Sequence, residues 1–419
     1  MKLQRRVVVT GLGLITPLGN DVSSSWDSCI NGKSGITTFD NSIKNSPVTI
    51  GGRIHDLDIE SYIEPKDVRR LDPFIQYGVA AASQAIANSG FLDSNCDLSR
   101  AGVNFGSGIG GIQTIENNHK IYLEKGYRKV SPFFVPGSII NMTSGFISIK
   151  YGLKGSNMSS VSACSSGSHS IGTAARSIAY GEADIMVAGG SEMASTPLAI
   201  SGFIAARALS TNSNPLSASR PWDIDRDGFV LSDGAGAIIL EDLDHALKRK
   251  ANIYAEVIGF GTSSDAHHMT APPESGEGAA LSMMNAINDA QLNVEEIDYI
   301  NAHGTSTPLG DLAEATAMKN VFIDANPSIS STKSMTGHTL GAAGAIESIF
   351  SILSITSGIV PPTINLDNQD PNTLLDFTPH IAKEKIVDIA MNNSFGFGGT
   401  NSTLIFKKYN WKQQYLKYS

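Results

Sequence analysis

A single cysteine, Cys164, lies where the sequence predicts a strand, a sharp turn and a buried helix. A β-prone run ends at Ala163, and apolar residues recur at helical spacing from there to Gly181, a helix-stop signal. A thiol at a helix N-terminus faces unpaired N–H groups and the positive end of the helix dipole. We therefore expect a lowered pKa and a nucleophilic thiolate. The alternative is a buried, inert cysteine that serves packing alone.

Two histidines stand in similar small-residue surroundings. His303 lies in the stretch Asn301–Thr307 at the end of a predicted strand, and His338 lies in Lys333–Thr339 at the start of a predicted helix. One histidine at a strand end is usually a satisfied core or surface residue. Two histidines at matching positions of similar segments favour a reactive Cys164 over an inert one.

The composition bounds the class of protein. Of 419 residues, 41% are hydrophobic and 17% charged, enough for two domains or one doubled domain. The net charge of -9 argues against nucleic acid as a partner. The three cysteines form no CxxC pair, which favours a reducing cytoplasm. We expect no membrane span, because no apolar run reaches the necessary length, and no targeting peptide, because a strand begins almost at the N-terminus.

The first half begins with a predicted strand over 6–11, which the following GLGLITPLG ends in a tight turn. The glycine spacing there does not match a dinucleotide-binding fingerprint, and Pro17 excludes the helix that such a site requires. Helices are predicted over 20–33 and from Pro65, and a strand over 101–106 leads into GSGIGG. These features indicate an α/β chain without this kind of nucleotide site.

The same order of predicted elements occurs twice. Residues 79–111 and 278–311 each read as a helix, a loop, a strand and a turn rich in glycine, serine or threonine. Each is followed by a second sharp turn that opens a helix of Ala, Gly and Ile. The pattern predicts a duplicated α/β domain whose sheets are sandwiched among helices. A seam near Tyr254 divides the halves, 1–253 with the cysteine and 254–412 with both histidines.

Four motifs carry a resemblance to a known family: VSACSSG around Cys164, NAHGTSTPLGD around His303, KSMTGHTLGAAG around His338, and NSFGFGGTN near the C-terminus. Together they resemble the signature of the elongating β-ketoacyl-acyl-carrier-protein synthases, and the isoleucine of GSGIGG is most like the KAS II type. The resemblance covers about residues 5 to 408. It implies the thiolase fold, a duplicated αβαβα sandwich, in agreement with the repeat.

The resemblance implies a decarboxylative Claisen condensation in type II fatty acid elongation. An acyl chain passes from its carrier protein to Cys164. Malonyl carrier protein then loses CO₂ and attacks the acyl group, which gives 3-oxoacyl carrier protein and free carrier protein. His303 and His338 are then neutral donors to the enolate, supported by Lys333, and the backbone N–H groups of Cys164 and Phe397 form the oxyanion hole. No cofactor is expected, since the substrates themselves carry phosphopantetheine.

Substrate-binding residues also follow from the resemblance. Three threonines are expected at the phosphopantetheine arm: Thr270, Thr305 and Thr307. The acyl pocket is expected to be lined by an isoleucine and three phenylalanines, the last of which is its gate: Ile109, Phe203, Phe395 and Phe397. No catalytic metal is expected, but a buried polar site matches one that binds a monovalent cation in some relatives: Asn301, Glu347, Asn392 and Asn393. The pair His267 and His268 has no partner cluster and is interpreted as a turn feature.

Acyl carrier proteins are acidic, whereas this chain is itself negative overall, so docking requires a local basic patch. The resemblance places three basic clusters around the pantetheine entrance: Lys66, Arg69 and Arg70; Arg128 and Lys129; and Arg207. It also implies a homodimer, across which the first cluster could be contributed.

Two alternatives stay open. A ketosynthase of a polyketide or specialised lipid pathway shares these motifs. A non-catalytic partner subunit, which shapes a pocket for another synthase, typically lacks the nucleophilic cysteine. Here Cys164, both histidines and Lys333 are all present.

Overall fold

The computed structural model describes residues 5–39, 46–373 and 375–410, so the first residues of the expected N-terminal half and the last of the expected C-terminal half lie outside the described range. The strands, in chain order, are β1 Val7–Ile15, β2 Thr37–Thr38, β3 Ile50–Gly51, β4 Ala101–Gly106, β5 Asn157–Met158, β6 Ile185–Glu192, β7 Gly234–Asp242, β8 Ala255–Ser264, β9 Tyr299–Asn301, β10 Ser328–Ser330, β11 Ile359–Val360, β12 Lys383–Glu384, β13 Ile389–Gly396 and β14 Thr400–Lys407. The α-helices are α1 Val22–Ile30, α2 Pro65–Val68, α3 Pro73–Ser89, α4 Ile112–Lys125, α5 Phe134–Ser138, α6 Met142–Tyr151, α7 Ser166–Ala179, α8 Pro197–Ala205, α9 Leu243–Lys248, α10 Glu277–Asp289, α11 Pro308–Val321, α12 Lys333–Thr336 and α13 Ala343–Ser357.

Ten strands form one mixed sheet in the order β10-β9-β13-β14-β8-β1-β7-β6-β4-β5. The order is symmetric about the β8–β1 pair, so each strand of one half has a counterpart in the other. In both halves the two inner pairs are antiparallel and the two outer pairs parallel. The predicted duplicated α/β fold is therefore confirmed. The seam near Tyr254 falls between α9 and β8, and the division at 253/254 stays a prediction.

Helices α7 and α13 lie between the two halves of the sheet and contact each other. Helices α3 and α6 cover the outer face of the first half, and α10, backed by α11, covers that of the second. Ile171 of α7 and Ile349 of α13 are fully buried in one core that both halves share. Helix α13 is buried over nearly its whole length, and α7 buries small residues such as Gly172 and Ala174, because each helix packs against the sheet and the other helix. This packing brings both helix N-termini, and the turns before them, to one place.

The glycines of β1 serve packing rather than a turn. The strand does not end after Gly11 but continues to Ile15, so its predicted end was wrong; the predicted tight turn follows at Thr16–Gly19, where the backbone N–H of each of these two residues donates to the carbonyl oxygen of the other. A Cβ on Gly11 would lie 2.3 Å from the carbonyl oxygen of Ala85, and one on Gly13 would lie 2.0 Å from that of Ala81. Glycine at both positions therefore lets α3 pack directly on the strand.

One described segment, Leu340–Ser357, is long and apolar enough to cross a membrane, so the expectation that no run reaches that length was wrong. Of this segment 83% is buried inside the protein, because it contains α13. Its apolar surface is accounted for by the core between the two halves of the sheet. The absence of a membrane partner stays a prediction.

Candidate active site

Cys164 lies in a short 3₁₀ turn that leads directly into α7. The strand predicted before it is only the two-residue β5, followed by an irregular segment. Ala163 has a φ of 51°, in the left-handed region that residues other than glycine rarely adopt. The Ser165 hydroxyl contacts the carbonyl oxygens of Ser394 at 2.9 Å and Thr400 at 2.7 Å. The predicted sharp turn is therefore present, and the hairpin between β13 and β14 holds it in place.

Three side chains that are distant in sequence meet beside this turn. His303 follows β9, and His338 follows α12. His338 Nε2 lies 3.1 Å from Cys164 Sγ, and the two imidazole rings are nearly perpendicular with centroids 5.3 Å apart. The sulfur and ring nitrogens lie within 4.8 Å of one another, close enough to act on one small substrate group. This spacing would also suit a three-ligand metal site, and the absence of a catalytic metal stays a prediction.

Both histidines are neutral near physiological pH. Burial lowers the pKa of each imidazole well below its ordinary value, and the Lys333 ammonium lowers the pKa further. Neither Nδ1 atom has a hydrogen-bond partner among the described residues. A proton on Nδ1 would leave a buried donor unpaired, so these surroundings favour a proton on Nε2. The two rings are therefore suited to donate from Nε2.

Two buried carboxylates contact groups beside the histidines: Glu347 contacts Lys333, and Glu314 contacts the backbone of His303. The Lys333 ammonium, at the start of α12, contacts Glu347 on α13, and burial raises the pKa of Glu347 while the lysine opposes that rise. Glu314 on α11 accepts from the backbone N–H groups of His303 at 2.8 Å and Gly304 at 2.7 Å. Glu314 was not identified from the sequence, where its one signal is a lone carboxylate in the alanine-rich run AEATA. It fixes the backbone that carries His303.

Three of the four residues of the expected cation site have an oxygen atom that is free to bind a cation. Asn301 Oδ1, Glu347 Oε2 and Asn392 Oδ1 are buried oxygens without a hydrogen-bond partner in the described chain. Asn393 differs, because its Oδ1 accepts from the Thr403 hydroxyl at 3.0 Å. Three free oxygens fit a hard monovalent cation, and its binding stays a prediction.

The thiol of Cys164 differs from the sequence-based expectation. The residue is 8% exposed, and burial raises the pKa of its thiol to about 12. The Lys333 ammonium and the N–H groups of Phe397 and Cys164 lower the pKa, and the Glu192 carboxylate raises it further. The predicted lowering of the pKa was wrong because the loss of water outweighs the turn's N–H groups. The resting residue is a thiol whose proton must leave during acyl transfer.

The pH dependence of alkylation tests this protonation state. Iodoacetamide labelling of Cys164 is expected to accelerate by about tenfold per pH unit from about pH 7 to pH 10, because only the thiolate reacts. Peptide mass spectrometry measures the rate, with the partly buried Cys96 in the same sample as an internal reference. A plateau at or below about pH 8 would instead show a resting thiolate.

A cavity of about 480 Å³ opens onto Cys164, His303 and His338. Its lining includes every residue expected to bind substrate: Ile109, Phe203, Thr270, Thr305, Thr307, Phe395 and Phe397. The sequence-based reasoning missed Phe229, which packs edge-on against both Phe203 and His338, with ring centroids 5.3 Å and 5.2 Å away. The sequence offers no signal for this aromatic beyond its place in a polar, glycine-containing segment.

The hairpin after β13 lies directly against the nucleophile. A Cβ on Gly396 would lie 3.0 Å from the backbone nitrogen of Cys164 and 2.6 Å from Thr400 Oγ1, so only glycine fits. The backbone N–H groups of Phe397 and Cys164 both lower the pKa of the thiol, so both lie near the sulfur. Two converging N–H groups are the arrangement that an oxyanion hole requires, and that role stays a prediction.

The six basic residues expected at the docking surface are all exposed. Arg207 also lines the cavity. Lys66 pairs with Glu64 at 2.9 Å, and the Arg70 guanidinium lies 4.4 Å from the ring centre of Phe133. The structure therefore brings one of the three clusters to the cavity itself.

His268, the member of the histidine pair that lines the cavity, makes the contacts of a turn. His268 Nδ1 accepts from the backbone N–H groups of Thr270 at 3.2 Å and Ala271 at 3.3 Å. An Nδ1 used in this way is not free to bind a metal. The interpretation of this pair as a turn feature agrees with these contacts.

Comparisons with known proteins identify the family. The Beta-ketoacyl synthase N-terminal domain matches residues 4–246, and the corresponding C-terminal domain matches residues 254–367. The 3-oxoacyl-[acyl-carrier-protein] synthase 2 of Vibrio cholerae is 53% identical over 97% of this chain and 99% of its own length. The protein of that name from Staphylococcus aureus is 46% identical over 98% of this chain and all of its own length.

Solved structures of ketosynthases have the same fold as this chain. A β-ketoacyl synthase from Burkholderia phymatum superposes with a TM-score of 0.91 at 35% identity, covering 97% of this chain and all of that one. A ketosynthase chain of AntDE:AntF, described as a type II PKS acyl-carrier protein in complex with its ketosynthase, superposes with a TM-score of 0.90 at 33% identity over the same shares. The fold, the meeting of Cys164 with two histidines and these full-length matches lead to one conclusion: the chain belongs to the β-ketoacyl synthase family.

Proposed function

We propose that this chain elongates acyl chains as a 3-oxoacyl-[acyl-carrier-protein] synthase of the second type. The observation that carries the proposal is the buried pair of Cys164 Sγ and His338 Nε2, 3.1 Å apart, in the lining of a cavity that His303 also lines. Relatives up to 53% identical over nearly the full chain bear the name of that activity.

In the first step the Cys164 sulfur attacks the thioester of an acyl carrier. The thiol proton leaves as the new C–S bond forms and ends on the sulfur of the released phosphopantetheine, while the N–H of His338 Nε2, 3.1 Å from the sulfur, donates to the developing thiolate. The N–H groups of Cys164 and Phe397 stabilise the tetrahedral oxyanion. The products are an acyl-Cys164 thioester and free carrier protein.

In the second step malonyl carrier protein enters and loses CO₂, which leaves an enolate on its thioester. Neutral His303 and His338 donate to the enolate oxygen, and the Lys333 ammonium adds a positive field. The enolate carbon then attacks the acyl-Cys164 carbonyl, and collapse of that intermediate gives 3-oxoacyl carrier protein and frees the sulfur as a thiolate, which takes up a proton from water to restore the thiol. No electron leaves the reacting groups, so the reaction needs no redox cofactor.

Cytoplasmic location fits the three free cysteines.

A polyketide ketosynthase is the second candidate, because a 33% identical ketosynthase of that kind shares the fold over the whole chain. The non-catalytic subunit is disfavoured, since the nucleophile, both histidines and the lysine are assembled at one cavity. Mass spectrometry of products from malonyl carrier protein and a ladder of saturated and unsaturated acyl carriers separates the candidates. Single two-carbon extensions support the proposal, and repeated extension without reduction would support the polyketide alternative.

Acyl carrier protein is the proposed partner. Replacing Lys66 and Arg69 by glutamate is expected to raise the KM for carrier-bound substrate several-fold, an effect that shrinks near about 0.5 M salt because exposed charges are screened. The KM for an acyl-pantetheine substrate should change little, since it has no acidic protein to attract. Steady-state kinetics with both substrates measures the difference.

The control variant reverses two other exposed lysines, Lys248→Glu with Lys319→Glu, which makes nearly the same change in net charge away from these clusters. It should leave both KM values near wild type. If the Lys66 and Arg69 variant weakens both substrates equally, those residues support the fold or the pocket, and docking occurs elsewhere.

We also propose a homodimer through an exposed apolar face. Helices α4, α5 and α6 and the edge strand β5 contact one another in turn, and large side chains on them or on the segments that follow α4 and β5 are exposed: Leu123 at 69%, Tyr127 at 72%, Val135 at 57%, Met158 at 54% and Val161 at 58%. Monomers rarely expose a patch of this kind. An edge strand has unpaired backbone groups, and a second copy related by a twofold axis can pair with them. Arg70 stacks on Phe133 beside this face, which would bring the first basic cluster near the partner.

Light scattering after size exclusion tests the dimer. The wild-type chain is expected to elute with the mass of two copies, and Leu123→Glu with Val161→Glu is expected to shift it toward one, because buried unpaired charge is costly. Ile386→Glu, at a side chain 76% exposed outside this face, is the matched control and should stay dimeric. A monomeric wild type would contradict the proposal.

A further inference from the structure

Glu192 ends β6 and is fully buried, yet the steps described above do not use it. Five donors surround its carboxylate, four of them in the loop 107–110 and one in the segment after His338. These are the Ser107 hydroxyl at 2.7 Å and the backbone N–H groups of Gly108 at 2.7 Å, Ile109 at 3.1 Å, Gly110 at 3.2 Å and Gly341 at 3.0 Å. No ion pair in the described part of the chain involves Glu192; burial raises the pKa of its carboxyl group, and the neutral donors around it oppose that rise.

The surrounding backbone is shaped to fit this carboxylate. A Cβ on Gly341 would lie 2.7 Å from Glu192 Oε2 and 2.3 Å from the backbone nitrogen of Gly108. A Cβ on Gly108 would lie 2.9 Å from the same oxygen. Only glycine at both positions lets two backbone segments reach one oxygen. The carboxylate therefore clamps together a loop of the first half and a segment of the second.

The two clamped segments carry different parts of the cavity. The loop presents Ile109 to the cavity, and the other segment presents Leu340 and, three residues before Gly341, His338. Glu192 itself does not line the cavity. Its position thus connects the wall that would meet an acyl chain with the histidine that contacts the nucleophile.

We propose that Glu192 is a positioning residue that sets acyl-chain specificity by fixing Ile109 relative to His338. This inference rests on the proposed function, because it assumes an acyl chain in the cavity. A long chain reaches the wall formed by the clamped loop and depends on its position. A short chain ends before that wall and depends on it less.

The test compares hexanoyl and tetradecanoyl carrier protein as substrates of the full-length wild type and of Glu192→Gln. The glutamine amide presents an NH₂ group to backbone donors, so the clamp is broken at one oxygen. The ratio of kcat/KM for the long chain to that for the short chain is expected to fall at least about tenfold, mainly through a higher KM for the long chain. Failure of the wild type to condense either substrate would reject the proposed function rather than this inference.

Asp72→Asn is the matched control, because Asp72 is a buried carboxylate that accepts from the N–H groups of Phe74 and Thr114 outside the cavity. Its long-to-short ratio should equal that of the wild type. Ser107→Ala, which removes one donor, decides the question if Glu192→Gln does not fold, and its ratio should fall several-fold. An unchanged ratio in a folded Glu192 or Ser107 variant, or an equal loss for both chains, would overturn the inference.

Discussion

Replacement of Cys164 by alanine is expected to reduce formation of 3-oxoacyl carrier protein to background. Alanine leaves no atom that can carry the acyl group between the two half-reactions. The change removes one buried atom, so the fold should persist. Decarboxylation of malonyl carrier protein should continue within about tenfold of the wild-type rate, because both histidine donors remain. Product mass spectrometry and CO₂ release measure the two outcomes on the same preparation.

Cys29→Ala is the matched control, since Cys29 is also buried but belongs to the core around α1. It should condense at close to the wild-type rate. Thermal unfolding measures any stability lost with the buried sulfur atom. Substantial condensation by the Cys164 variant would show that the acyl group does not pass through this sulfur.

Alanine at His303 or His338 is expected to slow CO₂ release from malonyl carrier protein by about 10²–10³-fold, the usual cost of one lost oxyanion donor. The structure also predicts different effects of the two substitutions on acyl transfer. His338 Nε2 contacts Cys164 Sγ at 3.1 Å, so its loss should also slow acyl transfer. His303 has no such hydrogen bond among the described contacts, so its loss should leave acyl transfer closer to wild type. Radiolabelled acyl transfer and CO₂ release measure the half-reactions separately.

His268→Ala serves as the control, because His268 also lines the cavity but its ring nitrogen is used in a turn. It should retain decarboxylation within about tenfold of wild type. Normal decarboxylation by both the His303 and the His338 variants would show that the enolate is stabilised by other groups.

Local sequence patterns predicted the elements that carry the site. Helix α7 after Cys164, helix α13 after His338 and strand β9 before His303 all form where apolar spacing and small residues indicate them. The two-fold recurrence of these patterns predicted the duplicated fold, since a repeat of local patterns requires a repeat of layers. The family resemblance also named the substrate-binding residues, and all of them line the cavity.

Three properties depended on packing that no local pattern contains. Cys164 and His338 are 174 positions apart, and only the central layer of helices brings them within 3.1 Å. The thiol pKa moved opposite to the local prediction, because desolvation sums over surroundings from both halves, whereas the turn's N–H groups act within a few residues. In the sequence Glu192 is one acid at a strand end, and its five donors come from a loop 82 to 85 positions before it and from Gly341 in the other half. The sequence by itself therefore determined which residues and elements form the site, and the tertiary structure decided their distances, their protonation and the residues that hold them in place.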